Sequence, residues 1–164
     1  FENLVIADFD TVVPSNLNRQ FYFTDQIGMM KTDALAANLL RINPDVNLTM
    51  RRERVDERNV REIFGGCDAV IEAFDVPESK ALIADAMMNE GIFTVCASGL
   101  AGIGNSDDIV IRRVNNRLYV VGDMKKEVSA DNPPCAPRVA LAAAKQADIV
   151  LEYVMTGEVR CGRR

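Results

Sequence analysis

The sequence predicts an α/β fold: a mostly parallel sheet flanked by helices, then an antiparallel hairpin and a closing helix. Three observations carry this expectation. Short apolar runs alternate with amphipathic segments from residue 3 to residue 97, the pattern of βαβ units. Those runs are continuous rather than alternating, as in strands covered on both faces. Beyond residue 97, two strand-like runs flank an Asn-Asn pair and a long helical stripe follows.

Each element has its own signal. "NLVIAD" (3–8) reads as a buried strand through Leu4, Val5 and Ile6. Thr24 or Asp25 is the expected cap of a helix running to Ile42, with Leu35, Leu39 and Ile42 on one face and "NP" (43–44) as its stop. "VNLTM" (46–50) is the second strand, and "DERNVREIF" (56–64) is a short polar helix closed by Gly65 and Gly66. "AVIEAF" (69–74) is the third strand. "ESKALIADAMMNEG" (78–91) is a helix with Leu82, Ile83, Ala86 and Met87 inward, and "IFTVCA" (92–97) is the fourth strand. "DDIVIRRV" (107–114) and "RLYVVGD" (117–123) form the hairpin about Asn115 and Asn116. A last helix spans about 138–155, with an expected inward stripe of Ala140, Ala143, Ala144, Ala147, Val150, Leu151 and Val154. Residues 1–156 read as a single Rossmann-like α/β domain and 157–164 as a flexible polar tail.

Composition narrows the function. The 164 residues are 48% hydrophobic, enough for a packed core, and no apolar run approaches the roughly 20 residues of a membrane span. A net charge of -5 with interspersed signs argues against a general nucleic-acid binder. Four scattered cysteines (Cys67, Cys96, Cys135, Cys161), no C-x-x-C pair and no histidine argue against structural zinc. With no leader visible, they read as reduced thiols in a cytoplasm.

Candidate site residues cluster where strands end, the place where open parallel sheets bind ligands. Asp8 and Asp10 close the first strand, followed by a polar loop with Ser15, Asn16, Asn18, Arg19 and Gln20. An acid there can accept both hydroxyls of a ribose, or merely begin the turn. Arg19 and Lys31 flank the first helix start; a triphosphate site wants an Arg fork, a Lys charge and a helix N-terminus. Asp75, in an otherwise apolar stretch, is either a Mg²⁺ ligand or a cap for the helix near Glu78. "GLAGIG" (99–104) has the order G-x-x-G-x-G and leads into a strand, so it reads as a turn-rich connection and not a phosphate loop.

The run "DFDTVVPSNLNRQFYF…IGMMK…LLRINP" resembles the ThiF/MoeB family, the ubiquitin-activating-enzyme-like adenylyltransferases. "EAFDVPESK" resembles the family's later aspartate motif and "NPPCAPRVALAAAKQADIVLEYVMTGE" its closing helix, so the resemblance spans about residues 3–158. It implies binding of ATP and Mg, adenylylation of the C-terminal Gly-Gly of a small ubiquitin-like sulfur-carrier protein, release of pyrophosphate, and a homodimer. Carried over by position, Asp8 would hold the ribose. Asn16, Arg19 and Lys31 would contact phosphates, with Asp10 beside them, and Asp75 would hold Mg²⁺.

The sequence departs from the family pattern in three places. The strand and G-x-G-G-x-G loop that precede the strand at 3–8 in the family are absent from these residues. The zinc C-x-x-C pairs are missing, as in the short zinc-free branch. Val76 stands where an asparagine often follows the metal aspartate. Cys135 is a further candidate, as a thiol accepting the activated carrier. Two other readings stay open: a dinucleotide-binding oxidoreductase domain, and a non-catalytic scaffold that keeps the fold. The pathway served, thiamine or another, is not named by these residues.

Overall fold

A computed structural model describes residues 1–126 and 128–160. It divides into two compact units, Phe1–Phe64 and Gly65–Arg164.

In the first unit, β1 (Asn3–Ala7) and β2 (Asn47–Arg51) pair in parallel, from Asn3 opposite Asn47 to Ala7 opposite Arg51. The connection between them holds α1 (Lys31–Ile42), and α2 (Val60–Phe64) follows β2. Both strands fall within a residue of their expected limits. The start of α1 does not. Residues Thr24–Gln26 form one 3₁₀ turn, Gly28 takes a left-handed φ of 91°, and the helix begins at Lys31. Tertiary hydrogen bonds override the cap signal. The Val12 N–H donates to Met29 O at 2.8 Å and the Gly28 N–H to Val12 O at 2.9 Å, so residues 28–30 run beside the loop after β1. The Gln26 side chain accepts from the Phe23 N–H at 2.9 Å and donates to Asn38 at 2.9 Å, tying the turn to α1. Ala34 and Ala36 face the packed side of α1, while Ile42 is 80% exposed.

The second unit is a four-stranded sheet in the order β3 (Ala69–Ile71), β4 (Phe93–Ala97), β6 (Leu118–Gly122), β5 (Val110–Arg113). β3, β4 and β6 run parallel, and β5 is antiparallel to β6. The parallel pairing expected along the chain is thus divided between two hydrogen-bonded sheets. The Asn115 carboxamide shapes the hairpin by accepting from the Arg117 and Leu118 N–H groups at 2.8 and 2.9 Å. α3 (Pro77–Asn89) joins β3 to β4 and buries Ile83, Ala86 and Met87 as expected. β3 stops at Ile71, short of residue 74, although the Glu72 N–H still donates to Val95 O at 2.9 Å.

α4 (Ala136–Thr156) packs on β4 and β6, but not through the expected stripe. Its buried positions are Arg138, Ala142, Gln146, Ile149 and Val150; Ala143, Ala144, Ala147, Leu151 and Val154 face outward. Two polar side chains decide the rotation. Gln146 donates to Glu72 O and Val95 O at 3.0 and 3.2 Å, and Arg138 is clasped as described below. Their row at i, i+4 and i+8 carries hydrogen bonds that the alanine face cannot make. Phe93, Val95, Ile109, Tyr119, Val121 and Ile149 form the core, with Tyr153 stacked on Phe93 at 3.9 Å. Val159 is buried in the same core although it belongs to the segment expected to be a tail. Residues 161–164 of that segment, including Cys161, lie outside the described residues.

Candidate nucleotide site

β1 delivers Asp8 as the first residue past its end, and the loop that follows returns to place Lys31 at the first position of α1. Lys31 is 8% exposed. Its ammonium lies 2.7 Å from Asp10 Oδ2 and 3.7 Å from Asp8 Oδ2. The Lys31 N–H donates to Asp10 O at 2.9 Å, and Asp8 Oδ1 accepts from the Asp10 N–H at 2.8 Å. These three expected residues are therefore brought together. The carboxylates keep 32% and 48% of their side-chain surface in water, so the cluster opens to solvent on its acidic side.

The two other expected residues of this loop are held differently. Asn16 is 7% exposed and organises the turn: its side-chain oxygen accepts from the Val13 N–H at 3.0 Å, and its backbone carbonyl accepts from the Arg19 and Gln20 N–H groups. The Arg19 guanidinium bends back to donate to Ser15 O at 3.0 Å and Asn18 Oδ1 at 2.8 Å. Both acceptors are neutral, which leaves its charge uncompensated by them. Sequence reading gave no role to three neighbours, of which it named only Gln20. Gln20 Oε1 and Thr32 Oγ1 are buried with no hydrogen-bond partner among the described residues. Tyr22, whose hydroxyl reaches Lys31 O at 3.5 Å, has its pKa pushed up to about 12, first by burial and then by the Asp8 charge. Only "NLNRQ" hinted at Gln20.

Asp75 lies in the second unit, exposed, in the loop between β3 and α3. It does not cap α3: the N-cap residue is Val76 and no side chain caps that end. Among the described residues no hydrogen bond or ion pair engages its carboxylate, and no group of three or more Cys, Asp or Glu side chains could hold a metal by itself. The same loop begins with a residue the sequence reading passed over. Glu72 is 1% exposed and pairs with Lys80 of α3 at 2.9 Å.

The glycine-rich stretch 99–104 is a turn-rich connection leading to β5. Its work is visible in Arg138, which is 1% exposed and donates to Gly99 O, Gly104 O and Asn105 O and to the Asp123 carboxylate. Gly99 must be glycine, because a Cβ there would stand 2.1 Å from Asp123 Oδ1. Burial works to raise the Asp123 pKa, but the Lys126 and Lys125 N–H groups and the Arg138 charge hold it below its usual value. Burial pushes the Cys96 thiol up to about 12, helped by Glu72, and raises Cys67 as well. Cys135 precedes α4 with its Sγ 3.7 Å from Pro133 O. A cavity of about 220 Å³ among Arg113, Asn116, Tyr119, Tyr153 and Glu158 lies at the hairpin end of the second sheet, and none of the expected site residues lines it. No helix among the described residues is long and apolar enough to cross a membrane.

The sequence pattern of the ThiF family matches residues 1–116, well over half of the chain. The chain belongs to the ThiF family. Within the family it is 32% identical over 112 residues to the adenylyltransferase and sulfurtransferase UBA4 of Saccharomyces cerevisiae, covering 68% of this chain and 25% of that protein. It is 39% identical over 90 residues to the SAMP-activating enzyme E1 of Haloferax volcanii, covering 54% of this chain and 33% of that enzyme. The ThiF-family chain thus spans a quarter to a third of these relatives. Among solved structures, the Escherichia coli tRNA N6-threonylcarbamoyladenosine dehydratase TcdA, in complex with AMP, superposes with a TM-score of 0.83 at 20% identity, over 95% of this chain and 77% of TcdA. Escherichia coli MccB with ATP gives 0.72 at 15% identity, over 98% and 50%. Those likenesses establish the shared fold.

Proposed function

We propose that this ThiF-family chain belongs to an ATP-dependent adenylyltransferase that activates the C-terminal Gly-Gly of a ubiquitin-like sulfur-carrier protein. The carrier carboxylate attacks the α-phosphorus, pyrophosphate leaves, and a carrier acyl-adenylate remains. The observation that carries this reading is the Lys31 ammonium held between Asp8 and Asp10 where β1 ends and α1 begins. UBA4 and the SAMP-activating enzyme, whose names describe adenylyl transfer and activation, support it. So do the AMP and ATP held by structures of the same fold.

In this reading Asp8 accepts from the ribose hydroxyls. Lys31 and Arg19 bind the phosphates and offset charge on the departing pyrophosphate, and Asn16 keeps their loop in shape. Asp10 orients the Lys31 ammonium until phosphate oxygens replace it. Nothing here needs a histidine or an activated nucleophile, since such transfer is positioning and charge stabilisation. Asp75 suits Mg²⁺, a hard cation commonly held by one or two carboxylates plus phosphates and water: it is an exposed carboxylate with no protein partner among the described residues. Bound there, Mg²⁺ would neutralise phosphate charge. A homodimer, working in the cytoplasm, completes the proposal.

The test is carrier-dependent exchange of labelled pyrophosphate into ATP by the full-length protein. Exchange that requires a carrier ending in Gly-Gly supports the reading. Absence of exchange with every such carrier, while ATP binding persists, overturns it.

A further inference from the structure

The loop between β3 and α3 is fastened by an ion pair whose acid is fully buried and whose lysine is part-exposed. Glu72 follows the last residue of β3, and its side chain has no exposed surface. One of its oxygens accepts from the Lys80 ammonium at 2.9 Å and from the Phe74 N–H; the other accepts from the Ala97 N–H at 3.3 Å. Lys80, in the first turn of α3, also donates to Ala97 O at 3.0 Å. Ala97 is the last residue of β4. Behind the pair, Gln146 of α4 donates to Glu72 O.

We propose that Glu72 and Lys80 are a positioning pair that fixes the height and path of the Asp75 loop against the end of β4. This rests on the reading of Asp75 as a group that meets metal-bound phosphates. Three features point to it. The pair bridges both ends of the loop, with Asp75 between them. The strand on one side has only three residues and the helix on the other has no side-chain cap, so neither element anchors the loop by itself. Finally, replacing an ion pair whose acid is taken out of water by an apolar pair of like volume is often neutral or stabilising, so the pair is not explained by stability. An apolar pair could not hold the Phe74 and Ala97 N–H groups, and those bonds set the backbone on which Asp75 stands.

The test compares Lys80→Met, Glu72→Gln and the conservative Lys80→Arg in the full-length protein. Amide hydrogen exchange is the first readout. In Lys80→Met the Phe74 and Ala97 amides should exchange about tenfold faster or more, while the Thr94 amide, bonded to Arg117 O within the sheet, stays as slow as in the parent. The second readout is the Mg²⁺ concentration giving half-maximal pyrophosphate exchange. Lys80→Met should raise it about tenfold, as loss of a supporting partner does at metal sites, with the rate restored at high Mg²⁺. Lys80→Arg should recover both readouts. On an Asp75→Ala background Lys80→Met should change the Mg²⁺ dependence no further. Unchanged Phe74 and Ala97 exchange, or full additivity with Asp75→Ala, overturns the proposal. Should Lys80→Met not fold, Glu72→Gln, a near-isostere, is read the same way. A parent protein with no pyrophosphate exchange at any Mg²⁺ sinks the proposed reaction, and the amide comparison then decides the fastening of the loop separately.

Discussion

Lys31 at the start of α1 and Arg138 at the start of α4 face one electrostatic problem in two different units. A cation in the first turn of a helix sits at the positive end of the macrodipole, which disfavours it. Each is compensated by an acid that directly follows a strand: Asp8 after β1, with Asp10 beyond it, and Asp123 after β6. Glu72 after β3 and Lys80 in α3 repeat the arrangement. The three differ in their access to water. The carboxylates around Lys31 are 32% and 48% exposed, Lys80 keeps 26% of its side-chain surface beside a fully buried Glu72, and the Arg138–Asp123 pair shows 1% and 4%. Arg138 meets three backbone carbonyls as well through Nη1 and Nη2, while its buried Nε finds no hydrogen-bond partner among the described residues. An ion pair open to water can exchange a carboxylate for a phosphate at small cost; one sealed in the core cannot. Under the proposed function, the same pairing would serve as a ligand site in the first unit, while it is a fastener in the second.

The largest expected effect tests the sealed pair. Arg138→Met leaves Asp123 buried without its cation and should lower unfolding free energy by about 3–5 kcal/mol, measured by denaturant titration. A loss below about 1 kcal/mol would mean that the pair is not sealed. The open pair should answer in the opposite way. Lys31→Ala should cost no more than about 1 kcal/mol of stability, since its partners remain hydrated. It should slow pyrophosphate exchange by about 10²–10³-fold, and Arg19→Ala should do likewise. Near-normal exchange in both variants would remove the assigned roles and with them the contrast.

Part of this was legible in the sequence. Continuous apolar runs marked β1, β2 and β4 to within a residue or two, and "SNLNRQ" with a downstream lysine marked the loop and Lys31. The misses share a cause. Hydrophobic periodicity counts apolar positions, and α4 carries two apolar rows. The row of alanines is the cleaner pattern, yet the core takes the row with Arg138, Gln146 and Ile149, because their partners lie far along the chain. Gln146 bonds a carbonyl 74 residues away, and Arg138 bonds ones 33 to 39 residues away. No local window contains those distances. The start of α1 failed for a like reason, since its cap signal at Thr24 lost to the bridge between Thr11 and Met30. Gln146→Ala should therefore cost about 1–3 kcal/mol by stranding the Glu72 carbonyl, while Val95 O keeps the Glu72 N–H, measured by denaturant unfolding. Leu151→Ala, on the cleaner row, should stay within about 0.5 kcal/mol of the parent in the same titration. The reverse order would restore the alanine face to the core.

The smallest effects come from two acidic side chains that report the local field of each unit. Tyr22 is raised from 10.0 to about 12 by burial and then by Asp8; Cys96 is raised from 9.0 to about 12 by burial and then by Glu72, against an opposing pull from Lys80. A raised pKa means that the folded protein keeps a proton which the unfolded chain releases. Each group therefore stabilises the fold fully below its ordinary pKa, and that contribution falls as pH climbs toward 12, from about 9 for Cys96 and from about 10 for Tyr22. Stability measured by denaturant from pH 8 to 10.5 should decline above pH 9, and Cys96→Ala should flatten the decline. Asp8→Asn should lower the Tyr22 midpoint, read by phenolate absorbance, only part of the way toward 10, because burial is the larger cause. Lys80→Met should move Cys96 the other way, extending the loss of stability to still higher pH, since it removes the one charge that favours the thiolate. If Asp8→Asn left Tyr22 unmoved, the open cluster would be too well screened to act on its neighbours, and the distinction between the two units would rest on burial alone.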